Sequence, residues 1–292
     1  MMPAHTPTPP KSRSRCGALA ALLVAVLGAC SSADRTPDPG EQDTSCGSAR
    51  SVGAGDGSCD TGRGGPMKSI PTPAGGTMCI DLTEVTVASY QQFLADANKP
   101  PVPSSDPSYA RCSAKDSYAP SCLNDPSQTW TADYPQVCVD QCDAMAFCRW
   151  AGKRLCGQIG GGPVAVADAA DPTKNQWVNA CYSGGRDWPY GPSYDSQACN
   201  TIDRQPKACG WIAPTGSYPG CQAPDGPYAG VLDLSGNAYE WLDACDEQTG
   251  WCVITGGSYV QWWGDASCIG SQLNWPWDAH IDEFGFRCCS IG

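Results

Sequence analysis

The sequence predicts an α+β domain with few helices, short strands and many disulfide bonds. Three features support this prediction. The chain has 33 glycines and 26 prolines, which interrupt regular structure along its length and are typical of short strands joined by long loops. It also has 20 cysteines in 292 residues. We expect disulfides to stabilise a domain that has so little regular structure.

Three helices are predicted between the loops. The first begins after a possible cap at Thr86, shows apolar residues at spacings of three and four, and ends at Lys99-Pro100-Pro101. The second runs from about Gln141 to Ala151, with Asp140 as its cap. The third opens at Asp171-Pro172, because proline favours the first helical position.

The N-terminus has the pattern of a secretion signal. Three cations precede an apolar run over 17–29, which is shorter than the ~20 residues that a membrane-spanning helix needs. The run ends in Leu27-Gly28-Ala29-Cys30, which resembles a bacterial lipobox and implies cleavage before Cys30 and lipidation of its thiol. An ordinary signal peptide cut nearby is the alternative.

We therefore expect three segments in the chain. They are a lipoprotein signal peptide over 1–29, a flexible tether rich in Ser, Gly, Asp and Pro over 30–65, and one folded domain over 66–292. Ser31 follows the lipidated cysteine where an acidic retention residue would stand, so we expect the protein in the outer membrane of a bacterial envelope.

The charge argues against two classes of partner. The formal net charge is −12, and removal of 1–29, with three cations and no anion, brings it to −15. Such an acidic surface disfavours nucleic acid and anionic lipid as docking partners.

Cysteine use predicts disulfides rather than zinc. Without Cys16 and Cys30, 18 of the 20 cysteines remain, enough for nine bridges in an exported chain. Only His280 remains in the mature chain to assist a zinc site. Spacing alone makes three local pairs plausible: Cys46–Cys59, Cys112–Cys122 and Cys245–Cys252. Cys79–Cys289 is a further candidate pair, chosen without an argument from spacing.

Five stretches, in order, resemble the formylglycine-generating enzyme (sulfatase-modifying factor) domain family. They are IDLTEVT (80–86), AFCRWAGKRL (146–155), WPYG (188–191), SGNAYEW (235–241), and TGGSY (255–259) together with FGFRC (284–288). Each stretch is weak evidence by itself, but their order over 67–292 is specific. The resemblance implies a compact, irregular α+β fold related to C-type lectin domains. It also implies two disulfide bonds, Cys148–Cys288 and Cys181–Cys268.

The family's copper-dependent oxidases need two thiolates just after the Gly-Gly-Ser turn, because soft sulfur ligands hold copper(I). Here those positions are Gln261 and Ala266, whereas Ser258, the neighbouring serine, is retained. We therefore expect no copper. We also expect no iron, since one histidine cannot build a facial triad, and His280 is interpreted as a surface loop residue.

The motif DLSGNAYEW predicts a structural calcium site. The resemblance implies, as ligands, the side chains of Asp233 and Glu240 and the carbonyl groups of Gly236 and Ala238, and calcium prefers such oxygen ligands. The alternative is a turn in which Glu240 binds an arginine or backbone amides.

Four tryptophans lie in the region that forms the substrate groove of the family. The candidate groove residues are Ser258, Gln261, Trp262, Trp263, Trp275 and Trp277. The aromatic rings can stack on a sugar or an extended peptide, or they can simply pack over the sheet.

The sequence thus predicts an exported lipoprotein whose domain binds a protein, peptide or glycan without catalysis. A divergent oxidoreductase that acts on a protein or peptide, with chemistry at Cys268, is the alternative. A purely structural envelope protein is a third class.

Overall fold

The protein has a mixed α+β fold with short elements joined by long loops. The computed structural model describes residues 55, 59, 62–99, 107–122, 130–204 and 211–292. The chain divides into two compact units, Met1–Gln42 and Asp43–Gly292, and all the described residues belong to the second. The predicted signal peptide, Cys30 and most of the predicted tether lie outside them. Among the described residues, no helix has the length and apolarity to cross a membrane.

Three α-helices occur in the described part: α1 (Val87–Ala95), α2 (Gln141–Trp150) and α3 (Gln176–Tyr182). The two predicted caps are confirmed. Oγ1 of Thr86 accepts a hydrogen bond from the Ser89 N–H at 3.3 Å. Asp140 and Asp143 form a reciprocal capping box at the start of α2.

The predicted start of the third helix is wrong. The Asp171 carboxylate accepts bonds from the backbone N–H and the hydroxyl of Thr173, which makes a local turn instead of a helical one. The helix begins four residues later, at Gln176, where Oδ1 of Asn175 caps the N–H groups of Trp177 and Val178. The hydrogen bonds from Thr173 to the Asp171 side chain therefore outweighed the preference of Pro172 for the first position of a helix.

Eight strands form two four-stranded sheets in the described part of the chain. In chain order they are β1 (Met67–Pro71), β2 (Thr77–Asp81), β3 (Arg154–Leu155), β4 (Tyr239–Asp246), β5 (Trp251–Thr255), β6 (Leu273–Pro276), β7 (Phe284–Gly285) and β8 (Cys288–Ile291). The spatial orders are β1-β2-β8-β3 and β6-β5-β4-β7. The last strand pairs with both β2 and β3, so the C-terminal segment closes the first sheet.

The main core joins α1 and α2 to strands of the second sheet. Tyr90, Phe93, Phe147 and Phe286 are fully buried, and their rings contact one another with centroids 5.3 to 6.2 Å apart. Burial of each such ring contributes on the order of 2–3 kcal/mol. This aromatic cluster fixes the position of the chain just after Glu283.

Eight disulfides link the cysteines of the described residues. They are Cys59–Cys79, Cys112–Cys142, Cys122–Cys138, Cys148–Cys288, Cys156–Cys289, Cys181–Cys268, Cys199–Cys221 and Cys245–Cys252. Both pairs that the resemblance implies are present, as is Cys245–Cys252. Cys46 and Cys209 lie outside the described residues.

The other three candidate pairs, Cys46–Cys59, Cys79–Cys289 and Cys112–Cys122, are wrong. The register of β2 with β8 explains one of them. Cys79 lies opposite Ser290, and Cys289 lies opposite Ile80. Residues directly opposite each other share a face and their neighbours point the other way, so Cys79 and Cys289 lie on opposite faces of the sheet. Spacing also failed for Cys59, Cys112 and Cys122, because their partners are fixed by packing between distant segments.

Candidate functional site

A glycine turn directly after β5 places Ser258 at the centre of the candidate site. Gly256 and Gly257 have φ angles of +91° and +72°, a region that favours glycine. A Cβ on Gly257 would come within 2.7 Å of the Asp265 carbonyl oxygen. The turn therefore depends on glycine, and it buries Ser258 completely.

Ser258 and Gln261 bind one carboxylate. The Ser258 hydroxyl donates to Oε2 of Glu283 at 2.5 Å, and the Gln261 side chain also hydrogen-bonds to Glu283. Burial raises the pKa of Glu283, helped by the neighbouring Asp282, while the two hydrogen bonds act in the opposite direction. Gln261 stands where the resemblance implies one thiolate of the oxidases, and its amide can bind a carboxyl group in either the neutral or the ionised form.

The second thiolate position is filled by a methyl group. Ala266 is fully buried in a short 3-10 helix (Trp263–Ala266). Cys268 forms a disulfide with Cys181, and both residues are fully buried. A divergent oxidoreductase with chemistry at Cys268 would need this thiol free or reversibly oxidised. In the described part of the chain every cysteine is bridged.

Exposed aromatic rings surround the turn. The side chain of Trp262 is 59% exposed and that of Trp211 is 55% exposed. The Trp211 ring lies 6.1 Å from the ring of Tyr259, centroid to centroid. We call Trp211, Tyr259, Gln261, Trp262 and Glu283 the aromatic–acidic surface. Sequence reasoning missed Trp211, because only the folded chain brings it beside Tyr259.

The remaining predicted tryptophans do not form one wall. Trp275 on β6 is 38% exposed and packs edge-on against Phe284, with centroids 5.2 Å apart. Trp277 is half-buried and packs against the main core. The side chain of Trp263 lies outside the described part. Packing, the alternative weighed for these residues, thus accounts for Trp277 and for much of Trp275.

One buried hydroxyl beside the surface has no hydrogen-bond partner among the described atoms. It belongs to Tyr239 on β4. Burial raises its pKa, and the charges of Asp265 and Glu283 act in the same direction. A buried hydroxyl without a partner costs about 1–3 kcal/mol, so a ligand or water that bonds to it would be stabilised.

In the motif predicted to bind calcium, the Glu240 carboxylate binds an arginine side chain. Both carboxylate oxygens of Glu240 accept hydrogen bonds from the fully buried Arg287, at 2.7 to 3.0 Å, and Oε2 also accepts from the Trp177 indole N–H at 2.9 Å. A calcium ion would have to displace the guanidinium or lie beside a like charge. Asp233 instead accepts from the Gly216 N–H at 2.6 Å. The predicted ligand set of Asp233, Gly236, Ala238 and Glu240 therefore does not fit, and Glu240 has the arginine partner of the alternative.

Asp233 and Glu84 form a buried carboxyl pair next to this arginine. The negative charge of Asp233 disfavours ionisation of Glu84, whose Oε2 has no hydrogen-bond partner among the described atoms. Burial raises the pKa of Asp233 to about 6 and raises that of Glu84 well above its usual range. The Asn237 amide donates to Oε1 of Glu84 at 2.8 Å. The sequence places Glu84 in the IDLTEVT motif, but no local pattern predicts that its side chain lies beside Asp233 and Asn237.

His280 was predicted to be a surface loop residue, but it is half-buried and lies beside two carboxylates. Its Nε2 lies 3.6 Å from Asp140 Oδ2 and 3.5 Å from Asp143 Oδ2, at the start of α2. These three residues could in principle hold a metal. However, Nζ of Lys115 already lies 2.5 and 2.8 Å from the two carboxylates, so it offsets part of their charge and would repel a cation there. The hydrogen bond to Asp143 raises the pKa of His280.

Comparison with known proteins gives consistent matches. The model of the family described as "Sulfatase-modifying factor enzyme 1-like domain" matches residues 39–290. The "Inactive C-alpha-formylglycine-generating enzyme 2" of Bos taurus is 27% identical over 176 residues, which cover 54% of this chain and 50% of that protein. The Mus musculus protein of the same name is 26% identical over 174 residues, 54% of this chain and 49% of that protein. The chain thus spans about half the length of these curated relatives.

A solved structure shows the fold. PvdO from Pseudomonas aeruginosa superposes with a TM-score of 0.51 at 18% sequence identity, covering 79% of this chain and 92% of that one. The family model covers residues 39–290, which include the glycine turn and both disulfides that the resemblance implies. The chain belongs to the sulfatase-modifying factor enzyme 1-like domain family.

Proposed function

We propose that this protein is an exported, lipid-anchored member of its family that binds a protein, peptide or glycan ligand and does not carry out the copper-dependent oxidation. The observation that supports this proposal is the replacement of the thiolate pair by Gln261 and Ala266. An amide and a methyl group offer copper(I) no soft ligand. The two curated relatives carry the word "inactive" in their names.

The aromatic–acidic surface is the proposed contact area. Trp211 and Trp262 offer large exposed rings, and rings of this kind stack well on sugars and on extended peptides. Glu283 lies beside them and accepts hydrogen bonds from Ser258 and Gln261. A ligand that stacks on the rings and presents hydrogen-bond donors towards Glu283 fits this arrangement.

The proposed location in the outer membrane is inferred from the sequence pattern of the N-terminus. The basic start, the apolar run and the lipobox-like end predict lipidation of Cys30. The following segment, poor in large apolar residues, would hold the domain away from the membrane as a flexible tether.

Copper binding tests the non-catalytic part. We expect the oxidised chain to show no free thiol on alkylation and to bind no copper(I) against a competing chelator. The Gln261→Cys/Ala266→Cys variant restores the thiol pair and is the positive control. Copper bound by two cysteine thiolates in the unmodified chain would contradict the proposal.

Ligand binding tests the surface. A peptide library and a glycan array are screened with the full chain, and the best binder is titrated against Trp211→Ala and Trp262→Ala. We expect each change to weaken binding by about fivefold or more, since loss of a stacked ring costs about 1–3 kcal/mol. The matched control is Trp251→Ala, because Trp251 is also exposed but lies outside this surface. Equal weakening by the control would refute the assignment.

A further inference from the structure

A cavity at the other sheet has no assigned role. It has a volume of about 400 Å³ and lies between the C-terminal turn of α2, strand β3 and the end of β8. Cavities of roughly 300–1,000 Å³ suit small molecules. It shares no residue with the aromatic–acidic surface, so the two regions can be tested separately.

Two arginines with no acidic partner line this cavity. Among the described residues, neither Arg149, which is exposed, nor Arg154, which is half-buried, makes an ion pair or a side-chain hydrogen bond. This is notable in a chain where 30 acidic residues face 18 Lys and Arg residues. The third cation of the lining, Lys153, is already engaged by Asp81 at 2.5 Å and by the Gly65 carbonyl at 2.6 Å.

Among the described residues of the lining, the only carboxylate is that of Asp243, which accepts a hydrogen bond from the Tyr109 hydroxyl at 3.0 Å. Neither Arg149 nor Arg154 lies within ion-pair distance of it. The two guanidinium groups therefore leave the cavity with an excess of positive charge, and guanidinium groups bind carboxylate, phosphate and sulfate oxygens in pairs.

The chain holds both arginines on a rigid frame. Arg149 follows Cys148, which is bridged to β8, and Arg154 pairs with Cys289, which is bridged to Cys156. These bridges fix the backbone positions from which the two side chains reach the cavity, and the side chains themselves still lose rotamer freedom on binding.

A glycine turn leaves room for one guanidinium. Gly161 has a φ of +103°, and a Cβ added there would overlap Nη1 of Arg154. Hydrogen bonds between Gln158 and the Gly161–Gly162 segment hold the turn in place. The absence of a side chain at Gly161 thus permits Arg154 to occupy its present position.

The rest of the lining contains four apolar side chains. They are Met145, Leu155, Pro163 and Ile291, and Ser290 is a further polar residue of the lining. Apolar walls with a few convergent polar groups are typical of sites for small organic molecules.

We propose that this cavity binds a small organic anion, with its oxyanion group on Arg149 and Arg154 and its apolar part against Met145, Leu155, Pro163 and Ile291. The function is binding alone, with no covalent step. The apolar wall distinguishes such a ligand from a free inorganic ion.

Calorimetric titration of the oxidised full chain, solubilised in neutral detergent, tests the proposal. The probes are phenyl phosphate, phenyl sulfate and benzoate, which share a ring and differ in the anion, with neutral benzamide and inorganic phosphate for comparison. We expect at least one ring-bearing anion to bind saturably, and more tightly than benzamide or inorganic phosphate.

Variants then locate the site. Arg149→Gln and Arg154→Gln should each weaken binding by about tenfold or more, the usual effect of losing a charged hydrogen bond. Gly161→Ala should weaken it as well, by displacing Arg154. The control is Arg186→Gln, at an exposed ion pair with Asp225 elsewhere on the surface. Thermal unfolding of each unliganded variant checks that it is folded.

Three results would overturn the proposal. They are no saturable binding of any ring-bearing anion, unchanged binding in a folded Arg149→Gln/Arg154→Gln variant, and an equal loss in Arg186→Gln. Inorganic phosphate that binds as tightly as phenyl phosphate would refute the role of the apolar wall.

Discussion

Two adjacent disulfides in this protein should stabilise it in a strongly coupled way. Cys148–Cys288 and Cys156–Cys289 close chain segments of 140 and 133 residues. Considered without the other, each bridge closes a long loop. However, Cys288 and Cys289 are neighbours, and only a short segment separates Cys148 from Cys156. The loop that one bridge closes therefore depends on whether the other is present.

The expected magnitudes follow from loop lengths. With one bridge intact, the other closes a path of only about ten residues, which is worth about 2.7 kcal/mol in the chain-entropy description. With both absent, Cys181–Cys268 still shortens the path of the first closure to about 55 residues, worth about 4.2 kcal/mol. Removing both bridges should thus cost about 7 kcal/mol, about 1.5 kcal/mol more than the sum of the two single losses.

Urea unfolding without reductant measures this coupling. The variants are Cys148→Ala/Cys288→Ala, Cys156→Ala/Cys289→Ala and the combination of all four changes. Loss of sulfur packing occurs equally in the single and combined variants, so it cancels in the coupling.

The matched control removes Cys245–Cys252, a hairpin bridge whose loop is independent of the other two. Its cost should add to that of Cys148→Ala/Cys288→Ala within about 0.5 kcal/mol. A combined loss no larger than the sum of the two adjacent pairs would refute the reasoning from nested loops.

Four further outcomes are expected. Arg287→Met should lower the free energy of unfolding by about 3–5 kcal/mol, since it leaves the buried Glu240 charge unpaired; a loss below about 1 kcal/mol in urea unfolding would contradict this. Because the folded pKa of Asp233 is raised to about 6 and that of Glu84 is also raised, the pair stabilises at low pH, and this contribution is lost as the pH rises from about 4 through 6 and above. Glu84→Gln should reduce that pH slope, and an unchanged slope would contradict the raised pKa of Glu84. The raised pKa of His280 gives stability that is complete below about pH 6.5 and lost as the pH rises through the folded value; His280→Gln should remove this part of the profile in urea unfolding at pH 6 and 9, and an identical profile would count against it. Finally, the melting temperature should be the same in calcium and in chelator, and a clear rise with calcium would show that the motif binds the ion despite its arginine.

Much of the architecture could be predicted because it depends on local or motif-level signals. Thr86 and Asp140 cap helices through contacts three residues away, so the caps are visible in the sequence. The absence of the thiol pair at Gln261 and Ala266 is likewise a matter of residue type. The start of α3 was not predictable from its proline, because the competing Asp171 turn has a similar local signal.

The site depended on contacts that no local pattern specifies. Trp211 reaches Tyr259, and Arg287 reaches Glu240, across 48 and 47 residues. Whether a buried carboxylate binds a metal or a guanidinium is decided by which charges the fold brings within about 4 Å. His280 illustrates the same point, since its acidic partners lie on a distant helix.

By itself, the sequence determined the family, the reliance on cross-links and the loss of the copper-binding thiols, because these follow from which residues occur and in what order. Only the tertiary structure decided which cysteines pair, which carboxylate meets Arg287, and where two arginines remain without an acidic partner. The physical reason is that disulfides and buried charges depend on distances of a few ångströms between segments far apart in the chain, and packing alone sets those distances.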